Sequence, residues 1–287
     1  MSIKCPPNPT GKMLIKSEIA NSRKLNYLET KHMLLSKHIG KIETVYLYYS
    51  IKQLTILLEK IDMLLQDSQG NAIGIEKRVD GMRIYFANIL TQPNNGIITY
   101  KGNQSYANNL SLIFSPTEKK EFPAESGNYI HANIKNYFHL DPLSDDILEL
   151  NSHSAQAWIN DYTKPGGKHE LLSKNIIPAK TETKSVWISK EEVIDLICYM
   201  KNQQPITGIF IYLGSYENGY TLPFYRDDVS NQLTITITLS RKKSVTLPTE
   251  FNKEKIANES FIIEDSDPDA DTTVPCPPRS CDGSDDI

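Results

Sequence analysis

Cysteine is scarce in this chain, with four in 287 residues. That is too few for the disulfide framework of a small secreted domain. Long apolar runs are also missing. No stretch approaches the roughly 18 apolar residues of a membrane helix, so no membrane span is expected. Residues 1–16 carry Lys4, Lys12 and Lys16 without a long apolar core, which makes a poor secretion signal. These absences read as a soluble, cytoplasmic protein. A basic excess is lacking too, the net charge being -4. From Glu259 onward nine acids face one base, Arg279. Such a tail would repel phosphate and the body is close to neutral, so no nucleic-acid partner is expected.

The usual signatures of chemistry are absent as well. There is no G-x-S-x-G, no phosphate-binding P-loop and no G-x-G-x-x-G. His169-Glu170-Leu171-Leu172-Ser173 begins like the zinc-protease string H-E-x-x-H but ends in serine, so the second ligand is missing. The series Asp265, Asp267, Asp269, Asp271 opens like a calcium loop. Ala270 stands where the sharp turn uses glycine, and Cys276 where the loop closes on glutamate. A solvated acidic linker is the simpler reading. No metal, no cofactor and no catalytic residue is assigned.

What the chain does have is repetition. Lys31-His32-Met33-Leu34-Leu35-Ser36-Lys37 recurs as Lys168-His169-Glu170-Leu171-Leu172-Ser173-Lys174, identical at six of seven positions. Lys41-Ile42-Glu43-Thr44 answers Lys180-Thr181-Glu182-Thr183. Ser50 and Ser189 each open a capping box, closed by Gln53 and Glu192. Amphipathic helices follow, with Leu54, Leu57, Leu58, Ile61, Leu64 and Leu65 on one stripe, and Val193, Leu196, Ile197 and Met200 on the other. Then come a glycine and a strand: Gly81 to Ala87, and Gly208 to Gly214. A second alternating strand runs through Leu110, Leu112 and Phe114, and through Leu233, Ile235, Ile237 and Leu239. Helices are also expected over Ser17 to Ser36 and from Ser154, the latter broken at Pro165-Gly166-Gly167.

The pattern predicts an α+β fold from tandem duplication of a small unit. Each unit has two helices and at least two antiparallel strands, and the two are related by a pseudo-twofold axis. An N-terminal extension (1–15) precedes the first repeat (16–117). A linker (118–151) with some packed aromatic content joins it to the second repeat (152–258). The tail (259–287) is too acidic and polar to offset its ordering entropy, and is expected to be mobile.

Candidate binding residues follow from period two. Arg83 and Tyr85, with Phe210 and Tyr212, lie on the strand face opposite Met82, Ile84 and Phe86. They form either a covered face or an interaction surface. His32 and His169 recur at equivalent positions; they read first as structural contacts at a helix end and second as members of a site between the repeats. Cys276 and Cys281 flank a Pro-rich string that Cys5-Pro6-Pro7 echoes. They are a candidate redox pair, a thiol set for a soft metal, or part of a recognition segment.

Gly81-Met-Arg-Ile-Tyr-Phe-Ala87, its echo at Gly208, the capped helix before each and the Cys-Pro-Pro end resemble an uncharacterised bacterial protein family. Its mark is a G-h-R-h-Y-F-G strand and a Cys-Pro-Pro-x-x-Cys-like terminus. The resemblance implies the fold unit and no activity. The expected function is a non-catalytic interaction or scaffold module with an unknown protein partner, the tail being a tether or recognition segment. The alternatives are an enzyme, such as a hydrolase, in a groove between the repeats using His32, His169 or Tyr212, and a small-molecule sensor.

Overall fold

A computed structural model describes residues 17–63, 79–91, 96–121, 129–176, 182–202, 206–220, 230–240 and 274–275. It is an α+β fold with two antiparallel sheets. The N-terminal helical stretch comprises α1 (Ser17–Asn26), a π-helical turn (Tyr27–His32) and α2 (Met33–Ile39). Gly40 ends it at φ +71°, a conformation that glycine adopts without a Cβ penalty. Strand β1 (Tyr46–Ser50) leads into α3 (Ile51–Met63), and β2 (Val79–Asn88) and β3 (Leu110–Glu121) follow. Three short strands come next, β4 (Tyr129–Asn133), β5 (Tyr137–Leu140) and β6 (Ile147–Leu150). Helices α4 (Ser152–Thr163) and α5 (Lys168–Lys174) are separated at the Pro-Gly-Gly string. The chain continues through β7 (Ser185–Ser189), α6 (Lys190–Asn202), β8 (Gly208–Ser215) and β9 (Leu233–Ser240). Val274–Pro275 of the tail forms β10.

Both capping boxes are made. Ser50 Oγ accepts the Gln53 N–H at 3.1 Å, and Gln53 Oε1 accepts the Ser50 N–H at 3.0 Å. Ser189 Oγ accepts the Glu192 N–H at 3.2 Å, and Glu192 Oε2 accepts the Ser189 N–H at 2.9 Å. Each box therefore fixes the corner where a strand turns directly into a helix.

Those strands, β1 and β7, are not among the elements expected from sequence. Each crosses to the far half of the chain. In the smaller sheet the order is β1-β8-β9, and β1 runs from Tyr46 opposite Tyr212 to Ser50 opposite Gly208. In the larger sheet the order is β10-β7-β2-β3-β5-β6, with β4 also on β3. There β7 runs from Ser185 opposite Tyr85 to Ser189 opposite Gly81. The segment between the expected repeats contributes β4, β5 and β6 to this sheet, and β3 extends to Glu121.

Glycines 81 and 208 sit where side chains of the crossing strands lie flat on the backbone. A Cβ on Gly81 would stand 2.5 Å from the Trp187 ring and 2.6 Å from the Ile188 carbonyl. On Gly208 it would stand 2.4 Å from the Tyr49 carbonyl and 2.7 Å from the Tyr48 hydroxyl. The absence of a side chain lets the Trp187 indole reach across and donate to Thr117 Oγ1 at 2.9 Å. The core lies on the opposite strand faces, where Ile84, Phe86, Leu112, Phe114, Val186, Ile209, Ile211 and Leu213 are buried with Leu57, Leu58, Leu196 and Ile197 of α3 and α6. Helix α4 packs on β2, and α1 packs on β8.

Candidate functional site

The repeated Lys-His and Glu-Thr segments come together at two buried constellations. At the first, Glu43 Oε1 accepts the N–H groups of Thr44 at 2.8 Å and Leu110 at 2.7 Å, the latter starting β3. Its Oε2 meets the Lys168 ammonium at 2.6 Å. The Glu43 N–H donates to Ser36 Oγ at 3.0 Å, and His32 Nε2 lies 3.1 Å from the Glu43 carbonyl. Tyr27 donates its hydroxyl to the Thr44 carbonyl at 2.8 Å. At the second, Glu182 Oε1 accepts from Thr183 N–H at 2.9 Å and from Leu233 N–H, which starts β9, at 2.5 Å. Its Oε2 meets Lys31 at 2.5 Å. Glu182 N–H donates to Ser173 Oγ at 2.9 Å, His169 Nε2 lies 2.9 Å from the Glu182 carbonyl, and Tyr162 donates to the Thr183 carbonyl at 3.0 Å.

These contacts fix the chemistry available there. A carbonyl only accepts, so Nε2 of each histidine carries the proton. Burial pushes both imidazoles below the ordinary histidine range, the adjacent glutamate opposing the shift in each case. Burial also pushes the Lys168 ammonium down, against the pull of Glu43. Each ion pair joins a helix from one half of the sequence to a loop ahead of a crossing strand in the other. Four charges, six backbone donors and two imidazoles hold strands in place. His32 and His169 thus sit in separate constellations and bond backbone within their own.

The strand-face candidates also divide. Arg83 and Tyr85 are buried beneath β4. Arg83 Nη2 donates to the His131 carbonyl at 2.8 Å, and Asn133 Nδ2 donates to the Tyr85 hydroxyl. The His131 ring stacks on Trp187 at 3.9 Å between centroids and meets Asp80 at 2.8 Å. This half of the face is covered by β4, from the segment expected to be a linker. On β8, Tyr212 is buried and Phe210 is half-buried. Tyr46 and Tyr48 of β1 pack edge-on or tilted against Phe210, at 5.2 and 5.3 Å. The Lys24 ammonium of α1 stands 4.1 Å above the Tyr212 ring and donates to Thr238 Oγ1 at 3.2 Å. Its burial pushes that amine down to about 8. The four candidates therefore belong to two different sheets, which period-two reasoning within one strand cannot detect.

The other observation is at the sheet edge. Val274–Pro275 pairs antiparallel with β7, Val274 opposite Trp187 and Pro275 opposite Val186. Proline lacks an N–H and is tolerated on an edge where none is needed. Cys276 follows directly in sequence, but Cys276 and Cys281 lie outside the described residues, as does the calcium-like acidic series. Cys198 of α6 is buried and disulfide-bonded, with its partner also outside them. Among the described residues, no group of three or more His, Cys, Asp or Glu is placed to hold a metal ion, and no helix is long and apolar enough to cross a membrane. No protein-family model, curated protein or solved structure matches the chain.

Proposed function

We propose that this chain is a non-catalytic interaction module, built from two copies of one α+β unit that have exchanged strands, and that it recognises extended segments along its sheet edges. The duplication reading is supported by register. The Ser50–Gly208 and Ser189–Gly81 pairings each join a capping-box serine of one half to a strand-opening glycine of the other. The two glutamate constellations support it too, since each uses the same residue types on the same backbone groups. That use also disfavours catalysis. The lysine, histidine, serine and glutamate that the two constellations share are committed to backbone and to one another, whereas a catalytic group must reach a substrate.

The observation that carries the interaction reading is the pairing of Val274–Pro275 with β7. Adding a strand to an exposed edge is a general mode of peptide recognition, with main-chain bonds supplying affinity. Two residues make a weak ladder. Attachment to the same chain raises the effective concentration of the segment, into the millimolar range for flexible linkers, and makes weak pairing persist. The tail then acts as a tether through Val274–Pro275 at the β7 edge, and an extended segment of a partner protein competes for the same place.

The test uses a chain lacking residues 259–287 and a synthetic peptide of residues 271–281. Millimolar peptide should shift the backbone amide resonances of Ser185–Ser189 saturably in the truncated chain. A Val274→Pro peptide should not, because it removes an edge N–H. If the truncated chain is folded and those amides do not respond to the parent peptide, the tether reading fails.

A further inference from the structure

We propose that His131 is a modification site, its Nε2 taking a phosphoryl group from a small anionic donor while Asp80 positions the ring. The proposal goes beyond the interaction reading and does not depend on it.

The six histidines divide by what holds their rings. His32 and His169 spend Nε2 on backbone carbonyls. His139 is buried, with Nδ1 on the Leu112 carbonyl. His38 and His153 are exposed, and no hydrogen bond from a described residue fixes either ring. His131 alone joins a carboxylate partner to an open nitrogen. Its Nδ1 lies 2.8 Å from Asp80 Oδ2, and its side chain is 32% exposed. A carboxylate only accepts, so Nδ1 carries the proton and Nε2 the lone pair. Nε2 has no hydrogen-bond partner among the described residues and reaches the surface.

The ring is held on its other sides by three strands. Asp80 Oδ1 accepts from the Thr117 hydroxyl at 2.7 Å, and Thr117 Oγ1 accepts from the Trp187 indole at 2.9 Å. The same indole lies against the His131 ring with the planes 26° apart. The imidazole therefore cannot change tautomer without losing Asp80, nor turn without leaving the indole. Both restraints favour attack by Nε2, and Asp80 faces the positive charge the ring acquires as the lone pair is used. Lys119 stands opposite His131 in the β3–β4 register. Paired residues share a face of the sheet, so a lysine stands on the side where an anionic donor arrives. That favours a phosphoryl donor over a neutral electrophile.

The step balances without a further acid or base. Nε2 attacks phosphorus, the P–N bond to the ring forms, and the leaving group departs with the electron pair of the bond that breaks. With phosphoramidate, whose own nitrogen is protonated, the leaving group is ammonia. The ring keeps its Nδ1 proton on Asp80.

Full-length protein is incubated with phosphoramidate, and each histidine is followed by phosphorus NMR and peptide mass spectrometry. In the folded protein His131 should be modified about tenfold faster than His38 and His153, and at Nε2. In urea above the unfolding midpoint the three should react alike. Asp80→Asn keeps an oxygen that accepts from Nδ1 but removes the charge. It should slow His131 to the rate of His38 and leave His38 and His153 unchanged, with protected β2 and β3 amides showing that the variant is folded. Should it not fold, the comparison of folded and urea-treated parent decides. His131 reacting no faster than His38 and His153 in the folded parent overturns the proposal. So does modification at Nδ1, or a preference for His131 that persists in urea or in folded Asp80→Asn.

Discussion

Glu43→Gln isolates one charge at the most enclosed part of the molecule. The Glu43 and Lys168 side chains are 0% and 2% exposed, and their charged atoms are 2.6 Å apart. Glutamine can keep Oε1 on the Thr44 and Leu110 N–H groups. Its amide nitrogen then replaces Oε2 and presents hydrogens to an ammonium. Lys168 retains the Asn108 carbonyl as acceptor, but its charge is left uncompensated. Removing one partner of a buried pair costs about 3–5 kcal/mol. Unfolding entropy is roughly 2.1 cal/mol/K per residue, or ~0.6 kcal/mol/K for a chain of this length, so the melting temperature should fall by about 5–8 °C. Denaturant and thermal unfolding at pH 7 measure both quantities. Lys168→Met added to Glu43→Gln removes the stranded charge and should recover at least half of the loss. The pH dependence has a definite sign. Burial lowers Lys168 and Glu43 opposes this, so loss of Glu43 lowers it further. The folded state then binds fewer protons than the unfolded state between the two lysine values, and the deficit should shrink as pH rises above neutrality through that window. A cost below about 1 kcal/mol, or no recovery in the double variant, would refute the account of this pair as a buried clasp.

Gly81→Ala and Gly208→Ala should each destabilise by about 1–3 kcal/mol in denaturant titrations, since the new methyl meets a carbonyl of the crossing strand and the sheet must shift; equal stability to the parent would mean the strands are not packed this closely. Burial lowers His32, His139 and His169. Their stabilising contribution is complete above the ordinary histidine value and is lost as pH falls through the folded values, so the histidine contribution should be level from pH 8 to 7 and stability should decline below about 6.5. His139 Nε2 is buried without a hydrogen-bond partner, and His139→Phe should flatten part of that decline; an unchanged slope would remove His139 from the explanation.

Much of the fold was readable locally because its signals are local. The serine boxes, the break at Pro165 and the alternation in β9 each involve residues within a few positions of one another. Strands β1 and β7 were not readable in this way. Tyr46-Leu-Tyr-Tyr-Ser and Ser-Val-Trp-Ile-Ser are five residues long, and most of their residues are buried, so they show little period-two contrast. They also abut helix caps, which claim the same serine. The ion pairs were hidden for a different reason. Lys31 and Glu182 are 151 positions apart, and a lysine or glutamate on a short polar stretch ordinarily reads as solvated. The available signal was recurrence: the same charged residues stand at matching places in both segments. The cover over Arg83 and Tyr85 had a weaker sign in the aromatic content of Ile130 to Leu140, which suggested packing without identifying what it packs on.

The crossing of β1 and β7 bears on how the chain could be divided. A cut anywhere between β6 and α4 would strip β2 of one neighbour and leave β1 with no sheet to join. Neither product would carry a finished hydrogen-bond ladder, and each would expose the backbone that the other was shaped to meet. The molecule is fastened like two hooks through each other's eyes, so its two halves do not stand as separable bodies.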